Sequence, residues 1–221
     1  MSNKSPLPAS YDKADIRRHY TGMASRYDFW GKLTESKARD RCLELAAIQD
    51  GEVVLEVAVG TGLTFYEVLQ HNRNGRVEGI DLTPEMLAQA QQKAAQTGHS
   101  NYDLRVGDAY KLDYDDAAFD VLINNYMFDM LPEADFSQVL AEFQRVLRPG
   151  GRLVLVNMAK ATHWYQTLWE TMYRIQPRWL GGCRSVSLSV PLNAAGFQVE
   201  QREFVSQMTF PSEVILAIKP L

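Results

Sequence analysis

Short groups of residues in this chain have the types and spacing to do chemistry. Gly60-Thr61-Gly62 follows the apolar run Val53-Val54-Leu55-Glu56-Val57-Ala58-Val59 and precedes a helical pattern that reaches His71. Glycines at such a turn let a ligand approach the backbone, and the helix start behind them offers free amides. Asp81 ends a second apolar run, where a carboxylate can accept both hydroxyls of a ribose. Asp108, in Gly107-Asp108-Ala109, can accept from an adenine amino group while the Ala109 amide donates to the ring. Glu56 is a charge inside a run that should be buried, and a buried carboxylate needs a partner such as a ligand ammonium. In this order the residues describe an adenosine that bears an amino acid. Each also has a plainer reading, as a tight turn or a strand-end cap. The rival dinucleotide fingerprint needs a third small residue where this chain has Phe65, which weakens a nicotinamide site.

The elements that must hold these residues alternate in kind. Residues 11–30 and 34–48 read as two helices, the second with Ala38, Leu45 and Cys42 or Leu43 available to an inward face. Strands follow at 53–59, 76–80, 102–106, 119–124 and 152–157. Thr83-Pro84 supplies a helix N-cap with Pro at N1, and Gly98 closes that helix. Phe136, Val139, Leu140, Phe143, Val146 and Leu147 form one apolar helical stripe, stopped by Arg148-Pro149-Gly150-Gly151. Residues 163–175 read as an aromatic helix, Gly181-Gly182 as a break, 184–195 as a short helix, and 197–219 as two strands turning around residues 208–211. The pattern predicts an α/β protein: a doubly wound, mostly parallel seven-stranded sheet with helices on both faces and a C-terminal antiparallel hairpin. Residues 1–50 are expected to form N-terminal lid helices and 51–221 the core, with 159–196 a helical insertion on the substrate side.

Composition narrows the partners. The 221 residues are 46% hydrophobic with a formal net charge of −4 and no long run of Lys or Arg, which argues against nucleic acid. Cys42 and Cys183 have no metal-type spacing, and the start MSNKSPLPAS lacks an apolar signal, so a cytoplasmic location is expected and no metal site. No stretch approaches the roughly 20 apolar residues of a membrane span, which leaves peripheral membrane contact open.

Five segments carry a family resemblance: Leu55-Glu56-Val57-Ala58-Val59-Gly60-Thr61-Gly62, Gly79-Ile80-Asp81-Leu82-Thr83-Pro84-Glu85-Met86-Leu87, Gly107-Asp108-Ala109, Phe119-Asp120-Val121 and Arg145-Val146-Leu147-Arg148-Pro149-Gly150-Gly151. Over residues 20–157 the chain resembles the class I, Rossmann-like S-adenosylmethionine-dependent methyltransferases. Within them it is similar to the ubiquinone/menaquinone-biosynthesis C-methyltransferases and the bacterial phospholipid N-methyltransferases. The resemblance implies S-adenosyl-L-methionine as cofactor, with Gly60 and Gly62 passing its methionine part and Asp81 on the ribose. It implies Leu82 against the adenine, Asp108 and Ala109 at the adenine edge, and Asn124 and Asn125 along the methionine. Tyr20 and Tyr27 resemble a lid that closes over the cofactor, where a sulfonium–aromatic attraction is worth about 0.5–2 kcal/mol. Ala58 departs from the family's first motif glycine, and Asp129 stands where many relatives carry His.

A general base is needed only if the acceptor carries a proton, as a phenol or hydroquinone does. Asp129 and Tyr126 after the fourth strand, and His163 and Tyr165 after the fifth, are the candidates to act as base or to orient substrate. The segment 163–184 holds Trp164, Tyr165, Trp169, Tyr173 and Trp179 with Arg174, Arg178 and Arg184. On one cleft they would suit an apolar ring or acyl chain with an anionic head. The leading expectation is methyl transfer to a quinone-like or other aromatic, lipid-like small molecule. Phospholipid head-group N-methylation and a non-catalytic S-adenosylmethionine-binding module are the alternatives. If Asp81 holds only the ribose, Asp81→Ala is predicted to weaken cofactor binding while barely moving ligand-free melting.

Overall fold

The computed structural model describes residues 33–159, Trp169, Thr171, Ile175 and 183–221. The expected helix at 11–30, the lid residues Tyr20 and Tyr27, and the candidates His163 and Tyr165 lie outside the described residues.

In chain order the elements are α1 (Ser36–Ala46), β1 (Val53–Val57), α2 (Leu63–His71), β2 (Arg76–Asp81), α3 (Pro84–Ala95), β3 (Tyr102–Val106) and β4 (Phe119–Asn125). They continue with α4 (Phe136–Val146), β5 (Leu147–Met158), α5 (Ser189–Ala194), β6 (Gln198–Gln207) and β7 (Phe210–Ile218). The strands form one seven-stranded sheet in the order β3-β2-β1-β4-β5-β7-β6. The first five are parallel, while β7 runs antiparallel to both β5 and β6. Val54, Leu55 and Val57 of β1 are essentially unexposed, as expected of a strand covered on both faces.

Each face has its own core. On one, Ala38, Cys42 and Leu45 of α1 join Phe65, Val68 and Leu69 of α2 and Ala90 of α3 over Val54, Val77, Val121 and Val154. On the other, α4 lays Phe136, Val139, Leu140 and Phe143 against Leu55, Leu122, Leu153 and Leu155. Complete burial of each such side chain contributes roughly 1.5–3 kcal/mol, so the stripe read from sequence fixes α4 on the sheet. Arg41 reaches from α1 to both carboxylate oxygens of Glu203 at 2.6 and 2.7 Å, and Arg152 Nε donates to the Ala46 carbonyl at 2.8 Å. These contacts fasten α1 over β5, β7 and β6.

Three local expectations change. Thr83 is the N-cap residue of α3 and Pro84 is N1, but the Thr83 hydroxyl makes no cap bond and serves the Asp81 carboxylate instead. α4 ends at Val146 and β5 begins at Leu147, because Arg148-Pro149-Gly150-Gly151 runs into the strand; the Gly150 amide donates to the Lys219 carbonyl at 2.8 Å. Residues 183–188 are not helical. Their backbone is taken by tertiary partners, Arg184 N–H to the Asp129 carbonyl and Val186 N–H to the Met158 carbonyl, and only Ser189–Ala194 forms α5.

Candidate functional site

Strand order reverses at β1, which has β2 on one side and β4 on the other. Ligands of doubly wound sheets sit in the crevice at the carboxyl ends of such strands. A cleft of about 810 Å³ opens there, lined by Gly60, Asp81, Leu82, Met86, Asp108 and Ala109 with Asn125, Tyr126, Met127, Met130 and Leu131. A second cavity of about 470 Å³ is lined by Glu35, Arg39, Glu56, Thr61 and Thr64. Ala58, Gly60, Asn125 and Tyr126 line both, so the two spaces meet at the turn after β1 and the end of β4.

The turn is a left-handed path. Ala58, Gly60 and Gly62 have φ of +60°, +57° and +82°. The Gly60 and Gly62 values explain the two glycines. Ala58 bears a left-handed cost of roughly 1–2 kcal/mol, which explains why a glycine is common at its position in the resembling family. The turn is braced by the Lys93 ammonium, which donates to the Thr61 carbonyl at 2.9 Å. Phe65, the residue that argued against a dinucleotide fingerprint, is fully buried beneath Gly79. A Cβ at Gly79 would meet Leu104, Val59 and Phe65 side-chain atoms at 2.6, 2.7 and 2.8 Å.

Asp81 is built into this turn. Its Oδ2 accepts the Gly60 amide and its Oδ1 the Thr83 amide, both at 2.8 Å. Burial pushes its carboxyl above the ordinary range, and the amides of Thr83 and Gly60 oppose that shift. A carboxylate offers about four lone-pair directions, and the Thr83 hydroxyl and the Leu82 amide share them with these two amides, so a diol here would compete with donors the turn already supplies. Asp108 Oδ1 accepts the Tyr110 amide at 3.0 Å, which shapes the loop that sets Ala109 at the cleft wall.

Glu56 is 2% exposed and its Oε2 has no protein partner. Burial first, then Asp81, raises its carboxyl well above the usual range, against the pull of Arg39 and a bond from Thr64. An orphaned acid facing a cavity fits an ammonium ligand. A carboxyl raised in the folded state favours folding at low pH and loses that contribution as pH climbs past its unfolded value. Glu56→Gln is therefore expected to raise ligand-free melting relative to the native chain increasingly between pH 5 and 8, while weakening cofactor binding. Parallel melting curves across that range would remove Glu56 as an uncompensated buried acid.

The asparagines separate. Asn125 lines both cavities and donates to Thr64 Oγ1 at 2.9 Å. Asn124 is fully buried, donates to the Val57 carbonyl at 2.8 Å and so braces β1, and it is not among the residues lining either cavity. Asp129 and Tyr126, the candidates after β4 to act as base or to orient substrate, are both tied to the protein. Asp129 is fully buried, its Oδ2 accepts the Met158 amide at 2.9 Å, and burial pushes its carboxyl up to about 7. Tyr126 does line the cleft, but its hydroxyl is bonded to Ser212 Oγ at 2.7 Å and burial raises its phenol further from neutrality. Of the late segment, Trp169 is buried edge-on against Phe210 at 5.3 Å, and Arg184 is 1% exposed with its Nη2 donating to the Leu131 carbonyl. Arg184 thus braces the loop after β4 from within. Glu35 and Arg39 were missed: an acid and a base four apart at the start of a helix read as a solvated pair, and only the packing of α1 on the sheet brings them to a cavity.

Among the described residues, no three His, Cys, Asp or Glu side chains gather as a metal site, and no helix is long and apolar enough to cross a membrane.

A family model described as a methyltransferase domain matches residues 54–151. The chain is 38% identical over 144 residues to a phosphatidylethanolamine N-methyltransferase of Cereibacter sphaeroides, covering 64% of this chain and 67% of that one. It is 36% identical over 163 residues to a demethylmenaquinone methyltransferase of Deinococcus radiodurans, covering 70% of this chain and 65% of that one. The matches thus span about two thirds of these relatives' lengths. Among solved structures, magnesium protoporphyrin IX methyltransferase from Synechocystis PCC 6803 with bound SAH superposes with a TM-score of 0.75 at 17% identity, over 94% of this chain and 100% of that one. The [4+2]-cyclase SpnF superposes at 0.77 and 20% identity over 99% and 100%. At these identities the superpositions speak for the fold.

Proposed function

The chain belongs to the S-adenosylmethionine-dependent methyltransferases, and from that premise we propose that it methylates a lipid-like small molecule, a quinone-type ring foremost. S-adenosylmethionine when bound supplies an electrophilic methyl group on a sulfonium. The residues here do the holding. In this reading Asp81 accepts the ribose hydroxyls, Leu82 and Met86 pack on the adenine, and Asp108 with the Ala109 amide takes its edge. Glu56 meets the ammonium of the amino-acid end, and Gly60 lets the chain of the ligand pass between the two cavities.

The observation that carries the reading is the junction of the two cavities at Asn125 and Tyr126, beside an apolar wall of Met127, Met130 and Leu131. A nucleophile laid on that wall would be held toward the junction, and alignment of this kind can supply on the order of 7–11 kcal/mol. Methionine side chains adapt to flat rings and acyl chains alike. The 38% identity to a phosphatidylethanolamine N-methyltransferase supports a second reading, methylation of a phospholipid amine.

Purified protein with methyl-labelled S-adenosylmethionine, offered demethylmenaquinone in detergent micelles and phosphatidylethanolamine vesicles in parallel, separates them. Label is expected on the ring. Label on the phospholipid alone would favour the second reading, and label on neither lipid would overturn both acceptor assignments.

A further inference from the structure

The smaller cavity contains a charged pair that lies outside the segment matched by the methyltransferase-domain family. Glu35 occupies the N-cap position of α1 and Arg39 lies one turn on, its amide donating to the Glu35 carbonyl at 3.0 Å. Both side chains line the same cavity as Glu56, whose orphaned Oε2 is the most deeply buried unpartnered acid at this site. Arg39 acts on both acids, holding each carboxyl lower than burial would leave it. Two carboxylates and one guanidinium thus line a space that shares Ala58, Gly60, Asn125 and Tyr126 with the larger cleft.

An amino-acid head presents an ammonium and a carboxylate. A pocket with one acid would match the ammonium; a second acid beside a guanidinium matches the zwitterion as a whole. We propose that Glu35 is a ligand of the cofactor's methionine ammonium, paired with Glu56, and that Arg39 takes the methionine carboxylate. The inference rests on the cofactor reading above and adds to it that α1 is part of the binding site.

Burial is the main influence on Glu35, followed by the neighbouring Asp129, and together they push its carboxyl up to about 8. The groups facing it are Arg39 on its own helix and Asp129 and Tyr126 from the loop after β4. Those facing Glu56 are Asp81 on β2 and Arg39 and Cys42 on α1. An ammonium entering between acids that hold protons displaces a proton. Binding should therefore release protons near neutral pH and strengthen as pH rises from 6 to 8.

The test uses two ligands: S-adenosylhomocysteine, which carries the amino-acid head, and 5′-methylthioadenosine, which lacks it. Calorimetric titration of the full chain and of Glu35→Gln is expected to show about a tenfold loss for the former and unchanged affinity for the latter. Titration in two buffers of different ionisation enthalpy should show fewer protons released by the variant. Unchanged affinity for S-adenosylhomocysteine would overturn the assignment. So would a parallel loss for both ligands, because that reports a disturbed fold. Arg39→Gln provides the second variant and should again spare 5′-methylthioadenosine. If the native chain binds neither ligand, the cofactor reading itself fails, an outcome distinct from a failure of Glu35.

Discussion

Asp81→Ala is expected to weaken S-adenosylmethionine binding by at least about tenfold and also to lower the melting temperature of the ligand-free protein. Hydrogen bonds to a charged group are worth about 1.5–3 kcal/mol each, and loss of 1.4 kcal/mol is one decade of affinity. The second effect departs from the expectation drawn from sequence, in which Asp81 waited idle for a ribose. Its two oxygens already hold the Gly60 and Thr83 amides, so truncation frees two donors at the base of the turn. A cost of roughly 1–2 kcal/mol follows, and about 2–4 °C in Tm per kcal/mol for a chain of this size. Asp81→Asn separates the roles, because its carbonyl oxygen can keep one amide while the charge is lost. It should recover part of the stability and little of the affinity. Melting curves beside calorimetric titration of both variants decide the matter, and native affinity in Asp81→Ala would sink the ribose assignment.

The two glycines of the turn are expected to fail in opposite ways. Gly62 has φ +82°, and a Cβ there would sit 2.7 Å from the Ala90 Cα and 2.8 Å from its Cβ on α3. The first of these is backbone, so relief requires α3 to move. Left-handed strain and overpacking together give roughly 2–5 kcal/mol for Gly62→Ala, a fall in Tm on the order of 10 °C. Gly60 has φ +57° but an added Cβ meets nothing within 4 Å. Gly60→Val therefore places its bulk in the space shared by the two cavities. Its folding cost is expected to be smaller than that of Gly62→Ala, while affinity for S-adenosylmethionine should collapse. Thermal melting ranks the first effect and titration the second. A Gly60→Val chain that binds the cofactor normally would remove Gly60 from the ligand's path.

Sequence determined the architecture because periodicity is local. Alternating buried runs and helical stripes, punctuated by Gly98 and the turn after Val59, set the order of strands and helices. The acids at strand ends then fell at the crevice because strand order in this topology leaves them nowhere else to go. The family relationship was legible for the same reason, since its motifs are short and sit at strand ends.

Tertiary structure decided what those side chains do. Asn124 and Asn125 are adjacent, yet the pleat sends one to the Val57 carbonyl and the other to the cleft. Asp129 and Tyr126 follow the end of β4, and packing against Met158 and Ser212 turns both into buried, bonded groups with raised pKa values. Residues 183–188 gave up a helix for hydrogen bonds to Asp129 and Met158, elements far away in sequence. Glu35 and Arg39 look like a surface pair until α1 docks on β5, β7 and β6 and closes them over Glu56. The spacing of apolar residues records which face of an element is inside. It does not record which distant carbonyl, amide or acid waits there, and that partner sets a polar side chain's charge, reach and role.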